Sequence, residues 1–227
     1  VAIAVNPNLT YSICNVKSTT RQLVVCSDAL KALKDDLISV EKEVKGGELV
    51  GLEYETCFPE LKEQQFTHKV VAWEDVDATE GSGAVHIAPG CGAEDFELGE
   101  RLGLKKVCPV DENGIFYKDF GFFSGKNTTE VADEVFEELK KRDKLYYVHK
   151  HKHRYPICWR CKNPLIFRLS KEWYLKADEI RPRLIEAVET VKWQPEFIKK
   201  RMLDWLNNMG DWNISRKRFY GLPLPFY

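Results

Sequence analysis

Residues 81–96 read Gly81-Ser-Gly-Ala-Val-His-Ile-Ala-Pro-Gly-Cys-Gly-Ala-Glu-Asp-Phe96, and this stretch decides how the chain is organised. The small or β-branched apolar residues around His86 predict a buried strand over 84–88. Pro89 and Gly90 end that strand. The acidic residues that follow, with Gly103 as a stop, predict a helix. His86 and Asp95 would then face a shared cavity, one from the strand and one from the helix start.

Local evidence leaves two interpretations of this pair open. A single histidine in an apolar strand, such as His86, is typical of a packed residue with one hydrogen bond. An acid early in a helix, such as Asp95, is favourable against the helix dipole without any further role. The dense glycine pattern between them favours a functional pair, because packing alone rarely demands it.

Composition and cysteine content set the broad class. The chain has 227 residues and is 44% hydrophobic, as globular domains are. It contains no apolar run near the roughly 20 residues that span a bilayer, and no secretory signal, so we expect no membrane partner. Seven cysteines without such a signal favour a reducing compartment, the cytoplasm. Both ends read as cut, so we expect a piece of a longer protein. We also expect it to be a monomer.

Charge divides the chain into two regions. Residues 1–139 hold 13 Lys/Arg and 26 Asp/Glu, whereas residues 140–227 hold 21 and 9. The net charges are therefore −13 and +12. A basic region of this kind indicates a polyanionic partner, or simply attraction between the two halves.

The hydrophobic pattern predicts many short strands and a few helices that do not alternate regularly. We therefore predict an α+β fold with a mixed, barrel-like sheet and peripheral helices over 1–149, followed by a basic connective segment over 150–227. The elements on which this depends are a hairpin of strands 11–16 and 22–26, strands over 67–73 and 105–110, and helices over 128–142, 177–191 and 195–208.

Two further motifs carry potential chemistry. Cys158 and Cys161 have the spacing of metal ligands, but a zinc site needs four ligands and a second such pair is absent. His151 and His153 are near, yet would make a cramped site, and two ordinary reduced thiols are the alternative. The run Arg216-Lys-Arg218 lies among aromatic residues, which suits nucleic acid or a strand that belongs to a larger parent domain.

Several blocks, in the same order along the chain, resemble isoleucyl-tRNA synthetases. The opening stretch is similar to their motif G-x-G-x-V-H-x-A-P-x-x-G-x-x-D followed by Phe or Tyr. Further similar blocks are Ala2-Ile-Ala-Val-Asn-Pro-Asn8, Glu48-Leu-Val-Gly-Leu-Glu-Tyr54, Cys158-Trp-Arg-Cys-Lys-Asn-Pro-Leu-Ile166 and Trp212-Asn-Ile-Ser-Arg-Lys-Arg-Phe-Tyr-Gly-Leu-Pro-Leu-Pro225. Valyl and leucyl relatives share the architecture, but their central motif normally lacks the His-x-Ala-Pro-Gly form.

The resemblance implies the connective-peptide editing domain of a class I synthetase, which removes a wrongly attached amino acid. Isoleucyl-tRNA synthetases are themselves the known example of limited discrimination between similar amino acids, since a hydrophobic pocket prefers Ile to Val by only about 150-fold. A second pocket then hydrolyses Val-tRNA(Ile). The implied partners are the 3′ end of tRNA(Ile) and the amino acids valine and isoleucine. ATP and Mg are used by the parent catalytic domain, whose signatures this sequence does not contain.

The resemblance also implies roles for single residues. Asp95 would hold the α-ammonium of the substrate and His86 would shape the side-chain pocket, with a positioned water cleaving the ester. The family's Thr-rich segment precedes the Ala2 block, so the resemblance places it outside this sequence. Cys91 occupies a position that is often held by histidine or another residue in the family. The implied substrate-binding residues are Gly83, Val85, Ala88, Pro89, Gly90, Cys91 and Gly92, and the candidate zinc ligands are Cys158 and Cys161.

Three alternatives remain on the sequence. The chain hydrolyses Val-tRNA(Ile), or it only binds the tRNA 3′ end because the Thr-rich wall is missing, or it is the editing domain of a valyl-type synthetase that accepts Thr. No cofactor is expected for the chain itself beyond the candidate zinc.

Overall fold

A computed structural model describes residues 1–148, 152 and 154–215, without the side chains of residues 34 and 35. Helices and strands are mixed without regular alternation, as the α+β prediction requires. In chain order the strands are β1 Ala2–Val5, β2 Thr10–Val16, β3 Leu23–Cys26, β4 Leu37–Lys45, β5 Glu53–Tyr54, β6 His68–Ala72, β7 Ala84–Ile87, β8 Tyr174–Leu175 and β9 Trp212–Asn213. The α-helices are α1 Gly46–Leu49, α2 Ala93–Leu102, α3 Ala132–Lys141, α4 Ala177–Thr190 and α5 Phe197–Asn208, and short 3₁₀ helices cover Ser27–Asp36, Lys62–Gln64 and Gly121–Phe123.

The chain divides into two compact units, Val1–Leu169 and Ser170–Tyr227. This division lies further along the chain than the predicted boundary between residues 149 and 150. The first unit holds the sheets and helices up to α3, and the second holds α4, α5 and the small pair β8–β9.

The sheet that carries the central stretch has four strands in the order β5-β6-β1-β7. Strand β1 pairs in parallel with β6 and antiparallel with β7, and Ile3 lies opposite His86. Strand β7 is therefore an edge strand of this sheet. Because side chains alternate between the faces of a strand, Val85 and Ile87 lie on one face and Ala84 and His86 on the other.

The predicted hairpin is confirmed in a second sheet. Strand β2 lies at its centre and pairs antiparallel with β3 on one side and β4 on the other. The two sheets remain separate, and no closed barrel is present among the described residues. Closing a barrel requires a continuous ring of paired strands, so the barrel-like part of the fold prediction is not confirmed.

Two hydrophobic clusters cover the two faces of the four-stranded sheet. On one face Ala4, Ile87 and Leu98 pack together, which brings helix α2 against β1 and β7. On the other face Val5 joins a cluster with Tyr11 and other residues of the second sheet. Full burial of one such leucine is worth about 1.5–3 kcal/mol, so the packing of Leu98 against Ile87 helps to hold the middle of α2 on β7.

Two predicted elements differ from the structure. The helix predicted over 128–142 begins later, at Ala132, because the Asn127 side chain accepts hydrogen bonds from the Thr129 backbone N–H at 3.0 Å and from its hydroxyl at 2.8 Å. Such a local turn competes with helix. The strand predicted over 105–110 is wrong: this segment finds no partner ladder and makes only an isolated bridge between Val110 and Phe116.

No helix within the described part of the chain is long and apolar enough to cross a membrane.

Candidate functional site: a glycine-rich turn between an edge strand and a helix

The stretch 84–102 forms the strand, turn and helix that its sequence predicts. Strand β7 ends at Ile87, and a β-turn follows in which the Cys91 N–H donates to the Ala88 carbonyl at 2.8 Å. Pro89 and Gly90 occupy the middle of this turn, where proline is favoured at the first central position. Helix α2 starts after Gly92 and ends at Gly103, which has a positive φ of 64°.

The turn places the Asp95 carboxylate beside the end of the strand. Asp95 is half-buried in the first turn of α2, and its Oδ2 accepts a hydrogen bond from the Ala88 N–H at 3.3 Å. A Cβ at Gly92 would lie 3.0 Å from the same oxygen. The Ala88 N–H, at the end of the strand, therefore holds the carboxylate close to the backbone of the turn. The missing side chain at Gly92 leaves room for it there.

His86 lies on the exposed side of edge strand β7, and not in a buried strand as predicted. Partial desolvation lowers the pKa of its imidazole, and the positive charge of the Val1 amino group lowers it further. The charge of Asp95 acts in the opposite direction on the His86 pKa. Among the described residues no hydrogen bond joins the two side chains, and His86 lies on the face of β7 opposite to the face that α2 covers.

Val1 lies beside the end of β7. Its nitrogen is 3.2 Å from His86 Nε2 and donates to the Ile87 carbonyl at 3.0 Å. Val1 thus joins the start of β1 to the edge strand beside His86.

His68 is a residue of this neighbourhood that sequence reasoning missed. It is buried, with only 4% exposure, and its two ring nitrogens lie 2.9 Å from the Val1 carbonyl and 3.0 Å from the Gln64 carbonyl. Its charge also affects the pKa of His86. Its position in the strand predicted over 67–73 was the available signal, but its contact with Val1 depends on the pairing of β6 with β1.

The remaining predicted substrate-binding residues divide between core and surface. Gly83 is buried: a Cβ there would lie 2.2 Å from Cys26 Cβ, and its carbonyl accepts from the Tyr11 hydroxyl at 2.7 Å. Pro89 is fully buried against Gly99 of α2. The residues of this set with some exposure are Val85, Ala88, Cys91 and Gly92, whereas Gly90 is buried.

Cys91 lies at the exposed corner of the turn. Partial desolvation raises the pKa of its thiol, and the neighbouring Cys108 and Asp95 add to the effect. Cys108 is close because Gly90 lies against the backbone of Val107: a Cβ at Gly90 would be 2.0 Å from the Val107 carbonyl oxygen. The segment predicted as a strand over 105–110 therefore supports the turn.

The two candidate zinc ligands lie at the tip of a hairpin. Hydrogen bonds from the backbone N–H groups of Cys161 and Arg160 lower the pKa of the Cys158 thiol. Donors arranged in this way favour a thiolate, which is the form that binds metal. Two thiolates are half of a tetrahedral zinc site, and the described residues contain no group of three or more His, Cys, Asp or Glu that could hold a metal.

Two parts of the sequence prediction lie outside the described residues. They are His151 and His153, and the basic aromatic run that begins at Arg216.

Curated relatives with clear similarity are isoleucine–tRNA ligases. The ligase of Methanothermobacter thermautotrophicus is 34% identical over 230 residues, which is 100% of this chain and 22% of the relative. The ligase of Archaeoglobus fulgidus is 35% identical over 238 residues and that of Methanoregula boonei 37% over 236, again over 100% of this chain and over 23% and 22% of the relatives. The chain is thus homologous to a segment that spans about a fifth of these ligases.

A solved structure gives a weaker likeness. The crystal structure of GlLeuRS-CP1 superposes with a TM-score of 0.48 and 13% sequence identity, over 66% of this chain and 78% of that chain.

The family model described as tRNA synthetases class I (I, L, M and V) matches residues 16–227. Since this match covers most of the chain, the chain belongs to the class I tRNA synthetases of that group.

Proposed function

We propose that this chain is the editing region of an isoleucine–tRNA ligase and that it hydrolyses the ester bond of Val-tRNA(Ile). The observation that carries the proposal is the Asp95 carboxylate, held at the mouth of the turn by the Ala88 N–H at 3.3 Å. A carboxylate fixed to the backbone is suited to binding an α-ammonium at a defined point. How far a side chain then reaches from that point can separate valine from isoleucine.

The charges around the turn are consistent with this role. The lowered pKa of His86 leaves its imidazole neutral near pH 7. A neutral imidazole does not repel a substrate ammonium, which fits a residue that forms part of the pocket wall.

Hydrolysis of the ester requires little more than correct positioning of the substrate and a water molecule. Water attacks the carbonyl carbon of the aminoacyl ester, the bond to the ribose oxygen breaks, and the proton of the water passes to that leaving oxygen. An oriented water and oriented substrate hydroxyls account for such a step without a nucleophilic side chain. Asp95 fixes the ammonium of the substrate and thereby the position of its ester bond.

Cys158 and Cys161 would have a separate, structural role. If zinc binds, these thiolates supply two of its ligands and hold the hairpin tip together. No step of the hydrolysis involves them.

Asp95→Ala tests the proposal in a deacylation assay with Val-tRNA(Ile). Because a hydrogen-bonded charge pair removed on one side costs about 2–5 kcal/mol, we expect hydrolysis to fall by about 30-fold or more. Glu94→Gln is the matched control, since Glu94 is an exposed acid of the same helical turn. Its rate should equal that of the unmodified chain.

The competing outcomes are distinct. Equal hydrolysis by Asp95→Ala and the unmodified chain would remove Asp95 from the mechanism. A chain that binds the tRNA 3′ end but shows no turnover above a blank would be a binding region only. Faster hydrolysis of Thr-tRNA(Val) than of Val-tRNA(Ile) would identify a valyl-type editing region.

A further inference from the structure

Residues 155–165, here called the knuckle hairpin, form a small element that hydrogen bonds close. The two arms meet at an isolated bridge between Ile157 and Pro164. Lys162 takes a positive φ of 62° at the tip, which lets the chain reverse direction. Hydrogen bonds close the hairpin at four levels: Leu165 N–H to Pro156 O at 3.0 Å, Cys158 N–H to Asn163 O at 2.8 Å, Lys162 N–H to Cys158 O at 2.9 Å and Tyr155 hydroxyl to Leu165 O at 2.8 Å.

The tip presents an aromatic ring together with two cations. Trp159 is 74% exposed, and the Arg160 guanidinium lies over its ring at 4.5 Å from the centroid. The Lys162 ammonium donates to the Trp159 carbonyl at 2.9 Å. A large ring that remains exposed on a tightly hydrogen-bonded turn is already ordered before any partner arrives, so binding through it costs little conformational entropy.

The charge of the surrounding sequence selects the kind of partner. Residues 144–171 contain eight Lys or Arg and three His, with no Asp or Glu, although residues 1–139 are strongly acidic. A positive segment of this kind attracts a polyanion. An exposed ring between two cations on one hairpin tip matches the alternation of base and phosphate along a single strand of nucleic acid, whose unpaired bases stack on aromatic faces.

We propose that the knuckle hairpin is a contact surface for single-stranded RNA, in which Trp159 stacks on an unpaired base and Arg160 and Lys162 bind adjacent phosphates. The proposal deepens the proposed function, which identifies the RNA as tRNA. It requires no hydrolysis, however, and the two can fail separately.

Binding is measured by fluorescence anisotropy with the whole 227-residue chain. The probes are a short labelled single-stranded RNA that ends in CCA and a blunt duplex of the same strand. Trp159→Ala should weaken single-strand binding about tenfold, since stacking of one base on an aromatic ring has roughly this effect. Duplex binding should change less, because its bases are already stacked. Trp159→Phe, which keeps an aromatic face, should recover most of the loss.

The cations are tested by salt dependence. Arg160→Gln with Lys162→Gln should reduce the slope of log affinity against log salt by about 1.4, since each phosphate contact with a single strand contributes about 0.7. The matched controls are Trp205→Ala on α5, where the ring is 59% exposed, and Lys42→Gln on β4. Neither control should change affinity or slope.

Several results would overturn the inference. One is that the unmodified chain does not bind the single strand. The others are that the affinity of Trp159→Ala for it lies within twofold of that of the unmodified chain, or that Trp159→Ala and Trp159→Phe lose affinity equally. If the hairpin variants bind RNA as the unmodified chain does but no longer bind polyglutamate, the hairpin would be a protein-docking surface instead. RNA binding that depends on Trp159, without deacylation, would support the inference and contradict the proposed hydrolysis. Deacylation together with RNA binding that does not depend on Trp159 would support the hydrolysis and contradict the inference.

Discussion

At the scale of single residues, the site depends on how one carboxylate and one imidazole share a small region. Asp95 and His86 come from different elements, and the turn between them brings each within the electrostatic field of the other. Partial desolvation lowers the pKa of His86 while the charge of Asp95 raises it.

This relation predicts the effect of Asp95→Asn on His86. Removal of the negative charge leaves only the influences that lower the His86 pKa, so it should fall further below the ordinary value of 6.5. The shift is measured from the imidazole carbon-bound protons by NMR across a pH titration. Glu94→Gln should leave the titration unchanged, and an unchanged His86 pKa in Asp95→Asn would show that the two side chains do not interact.

The same shift determines how stability depends on pH. Because the pKa of His86 is lower in the folded chain than its ordinary value of 6.5, the unfolded chain binds the proton more readily. The contribution of His86 to stability is therefore fully present above pH 6.5 and decreases as the pH falls towards the folded pKa.

At the scale of elements, the turn over 88–92 is held in place by its neighbours as much as by its own sequence. Gly90 approaches the backbone of Val107 so closely that no side chain fits between them. Pro89 is packed beneath Gly99 of α2. The glycine-rich sequence thus serves close packing of the turn, and this packing aims Asp95 at the end of β7.

Gly90→Ala should therefore destabilise the chain. The added Cβ would lie 2.0 Å from the Val107 carbonyl oxygen, a backbone atom that cannot move aside without shifting its segment. We expect the free energy of unfolding to fall by about 1–3 kcal/mol, as for other overpacked sites. Chemical denaturation gives the value. Gly47→Ala is the control, because its Cβ would meet only the Pro7 carbonyl oxygen at 3.7 Å, and equal stability of the two variants would contradict the packing argument.

At the scale of the whole molecule, the first compact unit contains its own cores. Three hydrophobic clusters lie within it, including an aromatic one that involves Phe116, Phe120 and Phe123. Residues beyond 149 also contribute: Ile166 lies over Gly114, and Arg168 pairs with Glu112 at 3.5 Å. The unit therefore extends past the boundary that the sequence predicts.

Two truncated chains test this boundary. A chain of residues 1–169 should unfold in one cooperative thermal transition, because it keeps the three clusters and the contacts of Ile166 and Arg168. A chain of residues 1–149 should melt lower, by about 2–4 °C for each kcal/mol that those contacts supply. Circular dichroism measures both transitions. Equal melting temperatures would instead favour the division at 149.

The sequence by itself determined the local features of this protein, namely the strand, turn and helix over 84–102 and the β2–β3 hairpin. These features depend on contacts between residues close in the chain, where glycine, proline and capping signals act directly. Tertiary structure alone decided that β1 pairs with both β6 and β7, that His68 reaches Val1, and that residues 105–110 support the turn instead of forming a strand. Each of these features depends on which distant segment supplies the partner. A segment with the composition of a strand does not form one unless another segment pairs with it through backbone hydrogen bonds.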